Sequence, residues 1–252
     1  MAGTILYGEN ITVDFNGFKA LNGVSLYVDE RELRFLIGPN GAGKTTLLDV
    51  ICGKVRPVSG SITFEENIEL LGLKEYQRAR IGVARKFQTP SIFEQLTVIE
   101  NMIIAHKKNK GVFSSIFNKI DRKSENDIYE VMEKINLIDK KLQYAGLLSH
   151  GEKQWLEIGM TMLQSPKLLL VDEPVAGMTG MERDKTGELL KSLAKDMSVL
   201  IVEHDMNFVE KFGERVTVLH EGSILCEGSF EYVRNDQTVI DVYLGRGVEE
   251  DA

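Results

Sequence analysis

Residues 38–45 read GPNGAGKT and fit the spacing G-x-x-x-x-G-K-[ST] at every fixed position. That spacing suits phosphate. Gly38, Gly41 and Gly43 let the backbone turn successive N–H groups inward around phosphate oxygens, with Pro39, Asn40 and Ala42 completing the loop. Lys44 can reach the β- and γ-phosphates, and the Thr45 hydroxyl can ligate Mg²⁺. Thr46 adds a hydroxyl near the α-phosphate. A nucleoside triphosphate with Mg²⁺ is the expected ligand.

Other residues could act on that ligand. Asp172 closes the apolar run LLLVD and Glu173 follows it. At the carboxyl end of a buried strand, Asp172 would hold Mg²⁺ through water or Thr45, and Glu173 would accept a proton from an attacking water. His204 follows the apolar run SVLIVE, where an imidazole can sense the γ-phosphate and orient that water. Gln88, after Lys86-Phe87, is placed for an amide that touches both Mg²⁺ and the water. Ser149 and Glu152, in LLSHGEKQWL, stand in the [ST]-x-x-[DE] relation of a capping box and predict a second helix start. His106 and His220 have no motif context and are expected at the surface. Asn118–Asp121 read NKID, the guanine-reading pattern of GTPases. The metal-binding aspartate should precede that pattern, and here it follows, so NKID is expected to be a surface coincidence.

The elements that must carry these residues alternate between strand and helix. Strands are expected at Ile5–Glu9, Val24–Val28 and Glu32–Ile37, in the manner of short antiparallel strands, with a further one at Ser61–Phe64. A helix is expected over Lys44–Cys52, closed by Gly53. Helical spacing dominates from Pro90 to Met162, around a basic, polar insert. Strand signals return at Leu168–Val171, Val199–Val202, Val216–Leu219 and Ser223–Glu227, the last two as a hairpin, with a helix over Gly187–Lys195. The fold class is α/β: a nucleotide-binding core formed by 1–88 and 161–252, with an antiparallel β subdomain, interrupted by a helical subdomain over 89–160. The chain has 252 residues, 43% of them apolar, which supports a sizeable core. A net charge of −8 disfavours nucleic acid as a partner. Two cysteines, Cys52 and Cys226, in apolar surroundings predict buried free thiols of a reducing compartment. No signal-peptide pattern and no apolar run of about 20 residues is visible, so a cytoplasmic protein is expected, with any membrane spanning left to other subunits.

GPNGAGKTT, Gln88, LSHGEKQ, LLLVDEP and IVEHD, in this order, resemble the ATP-binding subunit of ABC transporters over nearly the whole chain. The resemblance implies the ABC type of P-loop NTPase fold and ATP hydrolysis with Mg²⁺. It also implies a head-to-tail dimer in which the signature helix of one subunit points at the γ-phosphate held by the other. Ser149, Gly151 and Glu152 then become part of the nucleotide site of the partner, by their unpaired N–H groups and helix dipole. His150 and Glu152 depart from the commonest signature, LSGGQ, and Thr179 stands where an aspartate is usual. The adenine-stacking aromatic is matched best by Phe15, with Phe18 and Tyr7 as alternatives. Implied partners are a second ATPase subunit, identical or related, transmembrane permease subunits at the inner face of the membrane, and indirectly a solute-binding protein. Within the family, RKFQTPSIFEQLTVIENM, DEPVAGMT and VIDVYLGR resemble importers of branched-chain amino acids and urea, the urea type most closely. A non-transport ABC ATPase and a module that holds nucleotide without hydrolysis are the alternatives. Ile92, Phe93 and Leu96 are candidates either for docking a permease or for the core of the helical subdomain.

Overall fold

In the computed structural model, residues 3–86, 92–106 and 121–244 are described. Two sheets organise the chain. The first is antiparallel, with strands β1 (Thr4–Phe15), β2 (Phe18–Asp29), β4 (Ser59–Phe64) and β5 (Ile68–Glu69) in the order β2-β1-β4-β5. β1 and β2 turn at Asn16-Gly17, both at positive φ, the residue pair a two-residue hairpin favours. The second sheet holds β3 (Leu33–Ile37), β6 (Val83–Lys86), β7 (Leu168–Asp172), β8 (Ser198–Val202), β9 (Arg215–His220) and β10 (Ser223–Gly228), ordered β10-β9-β3-β8-β7-β6. β3 pairs in parallel with both β8 and β9, so it belongs to this sheet and not to the antiparallel set that its alternation suggested. All five of its residues are buried, as a central parallel strand requires.

Apart from β10, which runs antiparallel to β9, the strands of this sheet are parallel; its central strands β3, β8 and β7 are buried on both faces, and alternate residues serve different cores. Leu168, Leu170, Leu36, Leu200 and Val202 face a core shared with the antiparallel sheet and with helix α1 (Lys44–Cys52). Leu169, Val171, Phe35, Ile37, Val199 and Ile201 face the other core. That second core is continuous with the helices α3 (Val98–Ala105), α4 (Arg122–Lys134), α5 (His150–Met162), α6 (Gly180–Leu193) and α7 (Met206–Phe212), through Met102, Met132, Trp155, Leu190 and Phe208. Trp155 Nε1 donates to the buried Thr186 Oγ1 at 2.8 Å and so fixes α5 against α6. Helices α8 (Phe230–Asn235) and α9 (Gln237–Leu244) follow β10.

Several expectations need adjusting. The helix expected over Gly187–Lys195 starts earlier, at Gly180, because Thr179 and Glu182 form a capping box. β6 and helix α2 (Glu75–Ile81) carry no strong periodicity and were not anticipated. His106 is not at the surface. It is 6% exposed, with Nε2 3.5 Å from Asp127 Oδ2, because it caps α3 where that helix packs on the core. His220 is partly buried at the end of β9. Gln88 and residues 118–120 of NKID lie outside the described residues. Asp121 caps α4, its Oδ1 accepting from Ser124 N at 2.8 Å, a helix-cap role that needs no guanine. Phe93 is exposed, whereas Ile92 packs against the core. Both cysteines are buried and free.

Candidate functional site

The site grows from the end of β3, the strand at the centre of the parallel sheet. Gly38 and Gly43 have φ of 150° and 103°, and a Cβ on them would stand 2.0 Å from Leu219 O and 2.4 Å from Ala20 O. The loop is therefore pressed against β9 and β2, and only glycine fits at both positions. Lys44 folds back across the loop, its Nζ donating to Gly38 O at 2.7 Å and to Pro39 O at 3.0 Å. Burial pushes this ammonium below its usual range, with Glu173 and Asp172 opposing that shift. A cleft of about 320 Å³ is lined by residues 40–46, Glu173, Ala20, Phe15 and Phe18. Phe15 and Phe18 flank the hairpin turn and are both well exposed, so either ring can cover a planar base. Tyr7 does not line the cleft.

The carboxylates converge from β7. Asp172 is 1% exposed; its Oδ2 accepts from Arg85 Nη2 at 3.1 Å, and its Oδ1 finds no hydrogen-bond partner among the described residues. Burial pushes the Asp172 carboxyl up, and the Arg85 guanidinium pulls it back towards the ionised form. Glu173 holds a left-handed φ of 46° while its N–H donates to Val202 O at 2.9 Å. A non-glycine residue in that region is strained by about 1–3 kcal/mol, a cost found at functional turns. The turn carries the Glu173 side chain into the cleft, where Oε1 lies 3.6 Å from His204 Nδ1. Glu203 sets the place of His204. Its buried carboxylate accepts from the N–H groups of His204 (2.9 Å), Asp205 (3.2 Å) and Val175 (3.3 Å), tying the turn after β7 to the turn after β8. Burial raises its pKa, and those three backbone donors oppose the rise.

The second helix start is present but faces elsewhere. Ser149 caps α5: its Oγ accepts from Glu152 N at 3.2 Å while Glu152 Oε2 accepts from Ser149 N at 3.1 Å. Glu152 Oε1 also takes Lys140 Nζ at 2.6 Å, so this side chain is engaged by its own helix and its neighbour. Ser149 Oγ donates to Glu182 Oε1 at 2.8 Å, and Gly151 leaves room for that carboxylate. Behind the cap, the buried Lys86 Nζ donates to Gln154 Oε1 at 2.5 Å, and Gln154 Nε2 stands 3.0 Å from His150 Nε2. A lysine cannot accept, so the amide must point its oxygen at Lys86 and its nitrogen at His150. Ser149, Gly151 and Glu152 do not line the cleft of their own chain.

The family model described as "ABC transporter" matches residues 21–176, more than half of the chain. The chain belongs to the ABC transporter family. The high-affinity branched-chain amino acid transport ATP-binding protein LivG of Salmonella typhimurium is 37% identical over 254 residues, spanning 97% of this chain and 99% of its own. BraF of Pseudomonas aeruginosa, described in the same terms, is 35% identical with the same coverage. The crystal structure of an ATP-binding cassette of an ABC transporter in its ADP conformation superposes with a TM-score of 0.84 at 31% identity, covering 96% of this chain and 99% of that one. The cassette is thus an ATPase that binds ATP and has the ABC ATPase fold.

Within this cassette, several residues with positional roles escaped the sequence reading. Arg85 and Lys86 lie on β6, a strand whose alternation is masked by the charges that make it useful. Glu203 adjoins His204 and could have been noticed as the carboxylate that closes the apolar run SVLIV. Glu182 has a signal, the T-x-x-E capping box of Thr179, but nothing local reveals that it also reaches Ser149.

Proposed function

We propose that the chain is the ATP-hydrolysing subunit of an ABC importer, working at the seam of a head-to-tail pair. The observation that carries this reading is the division of the site. One chain supplies residues 40–46, Phe15 or Phe18, and Glu173 to a single cleft, while its own Ser149 and Gly151 stand outside that cleft at the capped start of α5. In this reading Phe15 stacks on adenine, residues 38–46 bind the phosphates, and Glu173 accepts the proton of the attacking water. His204 and Gln88 orient that water. Ser149, Gly151 and Glu152 form the helix start offered to the nucleotide of a second ATPase subunit. The residues also fit Mg²⁺. Asp172 Oδ1 is buried without a partner among the described residues, and the Thr45 residue is exposed. No group of three or more histidine, cysteine or carboxylate side chains forms a metal cage among the described residues. This is the pattern for an ion that takes most of its ligands from nucleotide oxygens and water. When bound, Mg²⁺ would neutralise charge on the phosphates, with Thr45, Asp172 and Gln88 as its protein-side partners.

No helix of the described residues is long and apolar enough to cross a membrane, so transmembrane permease subunits would carry the solute path and hold the ATPase at the inner face of the membrane. A recess of about 410 Å³ lined by Ala79, Val83, Ala105 and Met160, and the exposed Phe93, support such docking, with residues 89–160 as the unit that transmits motion. A solute-binding protein would act upstream of the permease. Acidity weighs against nucleic acid. For the solute, the names of LivG and BraF favour a branched-chain amino acid over the urea that the sequence resemblance suggested. Uptake of labelled leucine and of labelled urea by a strain lacking this subunit, with and without its return, tests the choice. Leucine uptake restored and urea uptake unaffected is expected; the reverse result would return the assignment to urea.

A further inference from the structure

Arg85 takes no part in the scheme above, yet it stands between the helix that carries the phosphate anchors and the strand that carries the metal carboxylate. Its side chain is 6% exposed. Nη2 donates to Asp172 Oδ2 at 3.1 Å, and Nη1 donates to Asp49 Oδ1, with Cys52 Sγ 3.7 Å from the same nitrogen. Asp49 and Cys52 belong to α1, the helix that opens with Lys44 and Thr45. One planar fork therefore ties α1 to the end of β7. It also leaves the two oxygens of Asp172 unlike each other: Oδ2 is held, and Oδ1 is buried and without a partner among the described residues. A buried carboxylate oxygen with nothing to accept is unfavourable unless a ligand uses it.

We propose that Arg85 is a positioning residue for the divalent cation of the reaction: it occupies Asp172 Oδ2, turns Oδ1 toward the cation's coordination sphere, and fixes the spacing between Asp172 and the α1 residue Thr45. This rests on the reading of the site as one for a metal-bound nucleotide, and concerns how the chain holds the metal. Lysine cannot replace the fork in full. A single ammonium has no rigid pair of donors to span Asp49 and Asp172 at once.

The test uses the full chain with Mn²⁺ as the probe. Mn²⁺ is titrated by electron paramagnetic resonance in the presence of ATP, and ATP binding is measured separately in chelator by calorimetry. Arg85→Met should raise the half-saturating Mn²⁺ concentration roughly ten- to hundredfold, the usual loss on removing an outer-shell partner, while metal-free ATP affinity stays as in the wild type. Arg85→Lys should fall between the two. Combining Arg85→Met with Asp172→Asn should weaken Mn²⁺ no further than Asp172→Asn alone. A folded Arg85→Met chain with the wild-type Mn²⁺ titration, or one that loses metal-free and metal-bound ATP affinity equally, overturns the role. Should Arg85→Met fail to fold, Arg85→Lys decides: wild-type Mn²⁺ affinity overturns the role, and weakened Mn²⁺ with unchanged metal-free ATP binding supports it. Absence of ATP binding in the wild-type chain would instead overturn the nucleotide reading itself, and this role with it.

Discussion

At the scale of the residue, the chemistry rests on a few side chains whose surroundings fix their roles. Glu173 is turned into the cleft by a strained backbone and stands 3.6 Å from His204, and in the proposed reading it accepts the proton of the attacking water. Glu173→Gln should keep ATP binding and lose turnover by at least about two orders of magnitude, the usual scale of general-base catalysis. Single-turnover hydrolysis beside an ATP titration checks this, and near-normal hydrolysis would remove Glu173 from the role. Lys44 donates to two loop carbonyls, which keeps its ammonium against the loop where phosphate would enter. Lys44→Ala should lose most nucleotide affinity without unfolding the chain, as read by calorimetry and a thermal melt. Unchanged affinity would contradict the phosphate-loop assignment.

At the scale of the element, helix starts do most of the positioning. Among the described residues, three of them carry reciprocal capping boxes led by a hydroxyl residue, at Thr97, Ser149 and Thr179. Glu182 joins the last two. Its carboxylate accepts from Thr179 N and Oγ1 and from Ser149 Oγ. Those donors favour the ionised form, the Thr179 backbone N–H most, and hold its pKa below the ordinary glutamate value of 4.5. A carboxyl with a lowered folded pKa adds stability that is fully present above its unfolded value and is lost as pH falls through the lowered folded one. Wild type should therefore lose its advantage over Glu182→Gln as pH drops below that range, in paired thermal melts from neutral to acid pH. A difference that does not change with pH would mean the carboxylate charge contributes nothing there. Gly43 shows the same dependence on backbone shape. At a φ of 103° with Ala20 O in the way, Gly43→Ala should both lower the melting temperature and abolish ATP binding. A variant that melts lower but binds ATP normally would show that the loop tolerates the shift.

At the scale of the whole molecule, the cleft and the second helix start lie on one chain but do not meet. Hydrolysis should accordingly depend on pairing. Specific activity of the isolated chain should rise with protein concentration in the dilute range, and Ser149→Arg should suppress it at saturating ATP without weakening ATP binding by the monomer. A dilute, strictly monomeric chain that hydrolyses ATP at full rate would refute the shared site. α5 packs through Trp155 on α6, which begins just after the turn from Glu173 to Thr179.

The sequence by itself determined the phosphate loop, the carboxylates after LLLV, the histidine after SVLIVE and the capped start of α5. Each is a local pattern whose chemistry depends on neighbours a few residues away. It determined β3, β7, β8, β9 and β10 to within a residue or two, because each centres on apolar residues, whereas β6, with Arg85 and Lys86 in four residues, gave no such signal. Only the tertiary structure decided which sheet β3 joins, that both Phe15 and Phe18 border the cleft, and that His106 is buried. Only it revealed Arg85 between Asp49 and Asp172, Glu203 beneath His204 and Glu182 on Ser149. These are contacts between residues about 30 or more positions apart or across an irregular turn. Their energy comes from charge-assisted hydrogen bonds that offset the cost of taking a charged group out of water, and no periodicity in the chain records such a meeting.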